Sequence, residues 1–149
     1  MVLSQLFVAG IASIFCIAIH ALVTVLVATV ARRVSGKIAL PWQPALLVVA
    51  MVATVSALAL AHVLEVGVWA ETYAVVGAAP ADADALYFSF VNYTTLGYGD
   101  VIPERRWRLL GPATAMCGML LFGWSAALIF EVLRRALGYE PPRPYRDRW

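Results

Sequence analysis

Six consecutive residues, Thr95-Leu96-Gly97-Tyr98-Gly99-Asp100, hold the chemistry that stands out in this chain. Gly97 and Gly99, one residue apart, reach positive φ at little cost, where residues with a Cβ are strained. A strand alternating between left- and right-handed conformations turns its carbonyls to one side. The result is a row of oxygens, suited to a hard cation such as Na⁺, K⁺ or Ca²⁺. The plain alternative is a flexible re-entrant turn, because a bare Gly-x-Gly discriminates nothing.

Ionisable residues inside apolar runs form a second group: His20, His62, Glu65 and Glu131. Such residues are functional candidates by default at membrane depth. His62 and Glu65 lie one helical turn apart and share a face. They read as a pH-sensing pair near the outer leaflet, or as a polar contact between helices or at the interface. His20 reads as a satisfied packing residue. Glu131 is spaced to pair with Arg134 and Arg135. Cys16 and Cys117 match no zinc or redox spacing and read as small packing residues.

The elements that must position these groups follow from composition. Of 149 residues, 62% are hydrophobic and 13% charged, against roughly 45–50% and about 25% in a soluble domain. A small domain cannot hide that much apolar surface from water, which excludes a soluble enzyme or a free nucleic-acid binder. Residues 2–31, 44–70 and 109–133 are each long enough to span a bilayer, which takes about 20 apolar residues. The first has no positive n-region, and is expected to remain as an anchor rather than be removed as a signal. Arg32, Arg33, Ser35, Gly36 and Lys37 end it; Pro112 suits the first turn of the third. Residues 77–80 read as a break, and Asp82 or Asp84 as the cap of a helix over 85–94. At half a membrane's length that helix is re-entrant or interfacial. The loop after it is tolerated at depth only when buried in protein or lining a water-filled cavity. With the N-terminus outside, eight Lys/Arg (Arg32, Arg33, Lys37, Arg134, Arg135, Arg143, Arg146, Arg148) fall inside and three (Arg105, Arg106, Arg108) outside. Trp42 then falls at the inner interface, with Trp69, Tyr73 and Trp107 at the outer one.

The run Tyr93-Thr94-Thr95-Leu96-Gly97-Tyr98-Gly99-Asp100 resembles the selectivity filter of tetrameric potassium channels. Residues 44–133 resemble that family's unit of outer helix, pore loop and inner helix, in a small channel of prokaryotic type with one extra N-terminal helix. The resemblance implies that carbonyls of Thr95, Leu96, Gly97 and Tyr98, with the Thr95 hydroxyl, bind K⁺ in stacked rings, Gly99 completing the filter. It implies support from Thr94, from Asp100 behind the outer mouth, and from Tyr87 and Phe88, against which Tyr98 braces. Gly118 or Gly123 is implied as a hinge, with close helix packing the alternative reading of each; Trp124 and Ser125 approach the cavity. Leu96 stands where valine is commonest. Val91 stands where some members carry a glutamate partnering the aspartate, so that buried link is absent.

The expected protein is therefore an all-α membrane protein: three transmembrane helices, a re-entrant pore helix and a filter loop, assembled as a homotetramer because one chain supplies one loop. Residues 1–43 form the extra helix and cytoplasmic loop, 44–135 the pore domain, and 136–149 a tail that is solvated or touches anionic lipid. The expected function is passive, K⁺-selective conduction across the plasma membrane. No catalysis, cofactor, nucleic acid or small-molecule substrate is expected; K⁺ is the permeant ion, and lipid and further copies of the chain are the partners. The rival readings are a weakly selective cation channel and a non-conducting regulatory subunit of another channel. No helix repeats arginine every third residue, so no voltage sensor of that kind is expected.

Overall fold

A computed structural model describes residues 2–35, 44–80 and 83–137. Gly36, Lys37, Trp42, Asp82 and the tail from residue 138 lie outside them, and with them the readings placed there. The described chain is all-helical and has no strand: α1 (Val2–Ser35), α2 (Pro44–Val76), α3 (Ala85–Tyr93), a single 3-10 turn (Arg105–Trp107) and α4 (Leu110–Ala136). Three helices are long and apolar enough to cross a membrane. At 1.5 Å per residue the nine residues of α3 rise about 14 Å, roughly half a hydrocarbon core.

Each long helix outruns the apolar segment that marks it. α1 continues through Arg32 and Arg33 to Ser35, and α2 runs six residues past Ala70 to Val76. Charged and polar residues are good enough helix formers to extend a helix into the interface once the membrane segment has nucleated it. Gly77, at φ +61°, then ends α2 in a left-handed turn.

α1 packs against both α2 and α4, and α3 is wedged between α2 and α4. The core of this bundle is aromatic. Trp69, Tyr73, Phe88 and Tyr93 are all but fully buried, together with Leu110, Leu121, Cys16 and Cys117. This corrects the aromatic belt expected at the outer interface: Trp69 and Tyr73 point into the subunit, stacked toward each other and toward Phe88. The Tyr73 hydroxyl bonds Thr114 at 2.5 Å, so its polar end is satisfied by α4 rather than by headgroups. Apolar side chains cover the outside of α1 and α2, Leu3, Phe7, Leu22, Val48 and Leu60 among them, as suits helices that face lipid or other apolar partners.

Candidate functional site: the loop after α3

Asp84 starts α3. Its carboxylate accepts the backbone N–H groups of Leu86 and Tyr87 at 2.9 and 3.2 Å, the ordinary work of an N-cap. Ser89 anchors the helix sideways by donating to the Val66 carbonyl at 2.7 Å. At the other end the chain folds back beneath its own helix: the N–H groups of Leu96 and Gly97 both donate to the Val91 carbonyl, at 2.9 and 3.2 Å. Val91 is buried, and its carbonyl is the pivot of the loop.

Beyond that pivot the backbone alternates in handedness. Thr95, Gly97 and Gly99 take φ of +62°, +57° and +79°, with Leu96 and Tyr98 between them on the ordinary side. The glycines make two of the three positions cheap. Thr95 is β-branched, and in this region such a residue is held under strain, which marks the loop as over-determined by its surroundings. Residues 94–100 are all exposed in the single chain, Tyr98 by 67%.

Two contacts brace the loop from outside. Tyr87 donates its hydroxyl to Asp100 Oδ2 at 2.6 Å. That bond holds the Asp100 carboxyl below its ordinary value of 3.8 and pushes the Tyr87 phenol up. Thr94 caps the helix end by donating to the Phe90 carbonyl at 2.7 Å. Phe88 does not share the bracing expected of it with Tyr87. It is 1% exposed and packs on Tyr73, since on a helix positions 87 and 88 point about 100° apart and only one can face the loop.

Beneath the loop α4 passes unusually close. A Cβ on Gly118 would overlap the Tyr93 carbonyl oxygen and lie 3.3 Å from the Tyr93 ring, whereas a Cβ on Gly123 meets nothing within 4 Å. Close approach therefore accounts for Gly118 without a hinge.

Five polar residues, His20, His62, Glu65, Tyr93 and Ser125, meet in one place. Glu65, fully buried, lies 2.8 Å from His20 Nδ1 and 3.0 Å from His62 Nδ1, and accepts a hydrogen bond from the Tyr93 hydroxyl. Ser125, expected near a cavity, is turned into the subunit and contacts both imidazoles, while Trp124 lies against His20 and is 39% exposed. The His62–Glu65 pairing was readable from its spacing. His20, Tyr93 and Ser125 were not, since no local spacing links them to Glu65. Glu131 pairs with Arg134 at 2.8 Å and with Arg135, as the spacing predicts. Cys16 and Cys117 are buried free thiols.

A half-length capped helix, an exposed loop of alternating handedness and two flanking long helices form one continuous unit. The sequence pattern of a known family covers that unit: it matches residues 46–135, from the first turn of α2 to the end of α4, and leaves α1 outside. No curated protein and no solved structure matches the chain. The matched family is described as "Ion channel", and with more than half of its length covered the chain belongs to it.

Proposed function

We propose that the protein is a homotetrameric, K⁺-selective channel of the plasma membrane. The observation that carries this reading is the alternation of positive φ at Thr95, Gly97 and Gly99 directly after a half-membrane helix. Carbonyls of Thr95, Leu96, Gly97 and Tyr98, with the Thr95 hydroxyl, are the ligands that replace water around the ion; Gly99 gives the last turn its conformation. Thr94, Tyr87 and Asp100 support the filter from behind. Each chain brings one loop, so a ring of oxygens needs four chains around one axis.

The exposure of the loop in a single chain supports assembly. So does the exposed row Met116, Met119, Leu120 and Trp124 on α4, which lipid or neighbouring copies must cover. In this reading residues 44–135 are the pore unit, 1–43 an added helix with its loop, and 136–149 a short cytoplasmic tail. The N-terminus lies outside and the C-terminus inside. The ion crosses unchanged, so the protein is no enzyme and uses no cofactor.

The test is flux from liposomes containing only the purified protein, first with K⁺ and then with Na⁺ as the permeant ion. K⁺ flux without Na⁺ flux is expected. Equal flux of both keeps the pore and discards the selectivity. Silence fits a closed gate or a regulatory subunit lacking its partner channel, and cross-linking to a single tetrameric species then weakens the subunit reading.

A further inference from the structure

Four side chains from three helices close a ring inside the subunit. Glu65 Oε1 meets His20 Nδ1 at 2.8 Å, and Glu65 Oε2 meets His62 Nδ1 at 3.0 Å. The remaining nitrogens of both imidazoles converge on one hydroxyl: Ser125 Oγ is 2.9 Å from His62 Nε2 and 3.3 Å from His20 Nε2. Glu65 and His20 are fully buried and Ser125 is 6% exposed. Tyr93 enters from α3, donating to Glu65 and lying 2.9 Å from His62 Nδ1. Cys16 of α1 directs its thiol at the Glu65 backbone carbonyl, 3.7 Å away, and Cys117 of α4 is buried in the adjoining core. The ion pairs of Glu65 among the described residues are to the two histidines.

The four edges of the ring need four hydrogens. An ionised glutamate, two neutral imidazoles and a serine supply three. With three, one edge sets two lone pairs against each other, and the cluster keeps a net negative charge at membrane depth, where uncompensated charge is costly. A fourth hydrogen fills the last edge and makes the cluster neutral. A fifth sets two donors against each other.

We propose that this ring binds one proton per chain, held between His20 and Glu65, and that the bound proton fastens α1 to the rest of the subunit. The proton is placed on His20, the imidazole nearer to Glu65 (2.8 against 3.0 Å) though the farther from Ser125 (3.3 against 2.9 Å), because the contact with the carboxylate is the one that carries the charge. His62 stays neutral with its hydrogen on Nδ1, while Ser125 donates to His62 Nε2 and accepts from His20 Nε2. α1 lies outside the matched family region; His20 ties it to Glu65 and Ser125, the Cys16 thiol faces the Glu65 carbonyl, and Gln5 Oε1 accepts the Leu109 N–H at 2.9 Å.

The full chain, labelled with ¹⁵N-histidine and placed in lipid bilayers, is titrated by NMR. The expected result is one imidazolium and one neutral Nδ1–H imidazole per chain, with a single proton lost in one step as pH rises. Ser125→Ala, which removes the acceptor of the charged imidazole, should lower that step by about one pH unit, a tenfold loss of proton affinity. A bound proton that fastens α1 stabilises the fold below the step, and that contribution is lost as pH rises through it. The wild-type Tm should therefore fall across the step, and His20→Gln should erase that fall. Two neutral imidazoles throughout, or a step unmoved by Ser125→Ala, would overturn the proposal. So would one zinc ion per chain surviving chelation on the same Nδ1 atoms. The NMR titration reads the cluster whether or not the pore conducts, so a failure of the channel reading leaves it standing.

Discussion

The loop after α3 and the cluster beneath it are two polar regions of an apolar molecule, and they are built on opposite plans. The cluster uses side chains drawn from four helices, buries them and bonds them to one another around Glu65. The loop uses backbone, exposes it, and holds part of it in left-handed conformations. A network whose groups all find partners within one chain is a device of stability. A strand held open and strained is a device for something outside the chain, whether an ion or neighbouring copies. Tyr93 joins the two, with its hydroxyl in the cluster and its backbone one residue from Thr94, where the loop begins.

If that division is right, substitutions in the two regions fail in different ways. Gly97→Ala should produce the largest functional loss: selective K⁺ flux abolished or degraded, with the tetramer still formed and Tm little changed. Its Cβ would meet nothing closer than the Thr95 carbonyl oxygen at 4.0 Å, so the cost is conformational. That cost is about 1–2 kcal/mol per residue, repeated in each copy around the axis. Liposome flux with K⁺ and Na⁺ checks it, and unchanged discrimination would remove the filter assignment. Glu65→Gln should do the reverse. It takes the shared acceptor from three donors in a buried site, at about 3–5 kcal/mol. The expected outcome is a sharp fall in Tm and in the yield of folded protein, followed by thermal unfolding in detergent. A normal Tm would show that the cluster is not structural.

The two regions were also unequally legible in the sequence. Much that is local could be read: Asp84 as one of two candidate caps, α3 to within one residue of its end, the His62–Glu65 and Glu131–Arg134 pairs, and the glycines of the loop. These depend on spacings of one to four residues. The cluster depends on separations of 45 residues between His20 and Glu65 and 63 between His62 and Ser125. No periodicity points to such contacts, because helices that are apolar all round have no inward face written into their pattern. The same blindness sent Trp69 and Tyr73 to the interface, Ser125 to a cavity and Phe88 to the filter. All four face the interior of the subunit. Gly118 showed itself as a glycine in an inner helix, but only the packing of α4 on Tyr93 gives a reason for it.

That packing offers an intermediate test, because Gly118 touches the residue that belongs to both regions. Gly118→Ala forces α4 away from the Tyr93 carbonyl, and overpacking of this kind costs about 1–3 kcal/mol. It should lower Tm and disturb flux together. Gly123→Ala, with open space around its Cβ, serves as the matched control and should leave the stability within about 0.5 kcal/mol of wild type. Should Gly123→Ala alter gating while Gly118→Ala leaves flux intact, the hinge lies at Gly123 and the coupling through Tyr93 is wrong.

The smallest effect is expected where the loop meets the outer surface. Tyr87 holds the Asp100 carboxyl below its ordinary value of 3.8 through one exposed hydrogen bond. A depressed carboxyl contributes its stabilisation at pH values above that ordinary value and loses it as pH falls through the lowered one. Wild-type flux should therefore be level from neutral pH down to about pH 4 and decline only below it, as Asp100 is protonated. Tyr87→Phe removes the bond at every pH. Its flux should start slightly lower at neutral pH and show less of the acid decline, so that the two profiles converge in acid. Parallel profiles would mean that Asp100 is held by something other than Tyr87. The loop would then draw its order from contacts between copies, and the contrast with the self-contained cluster would sharpen.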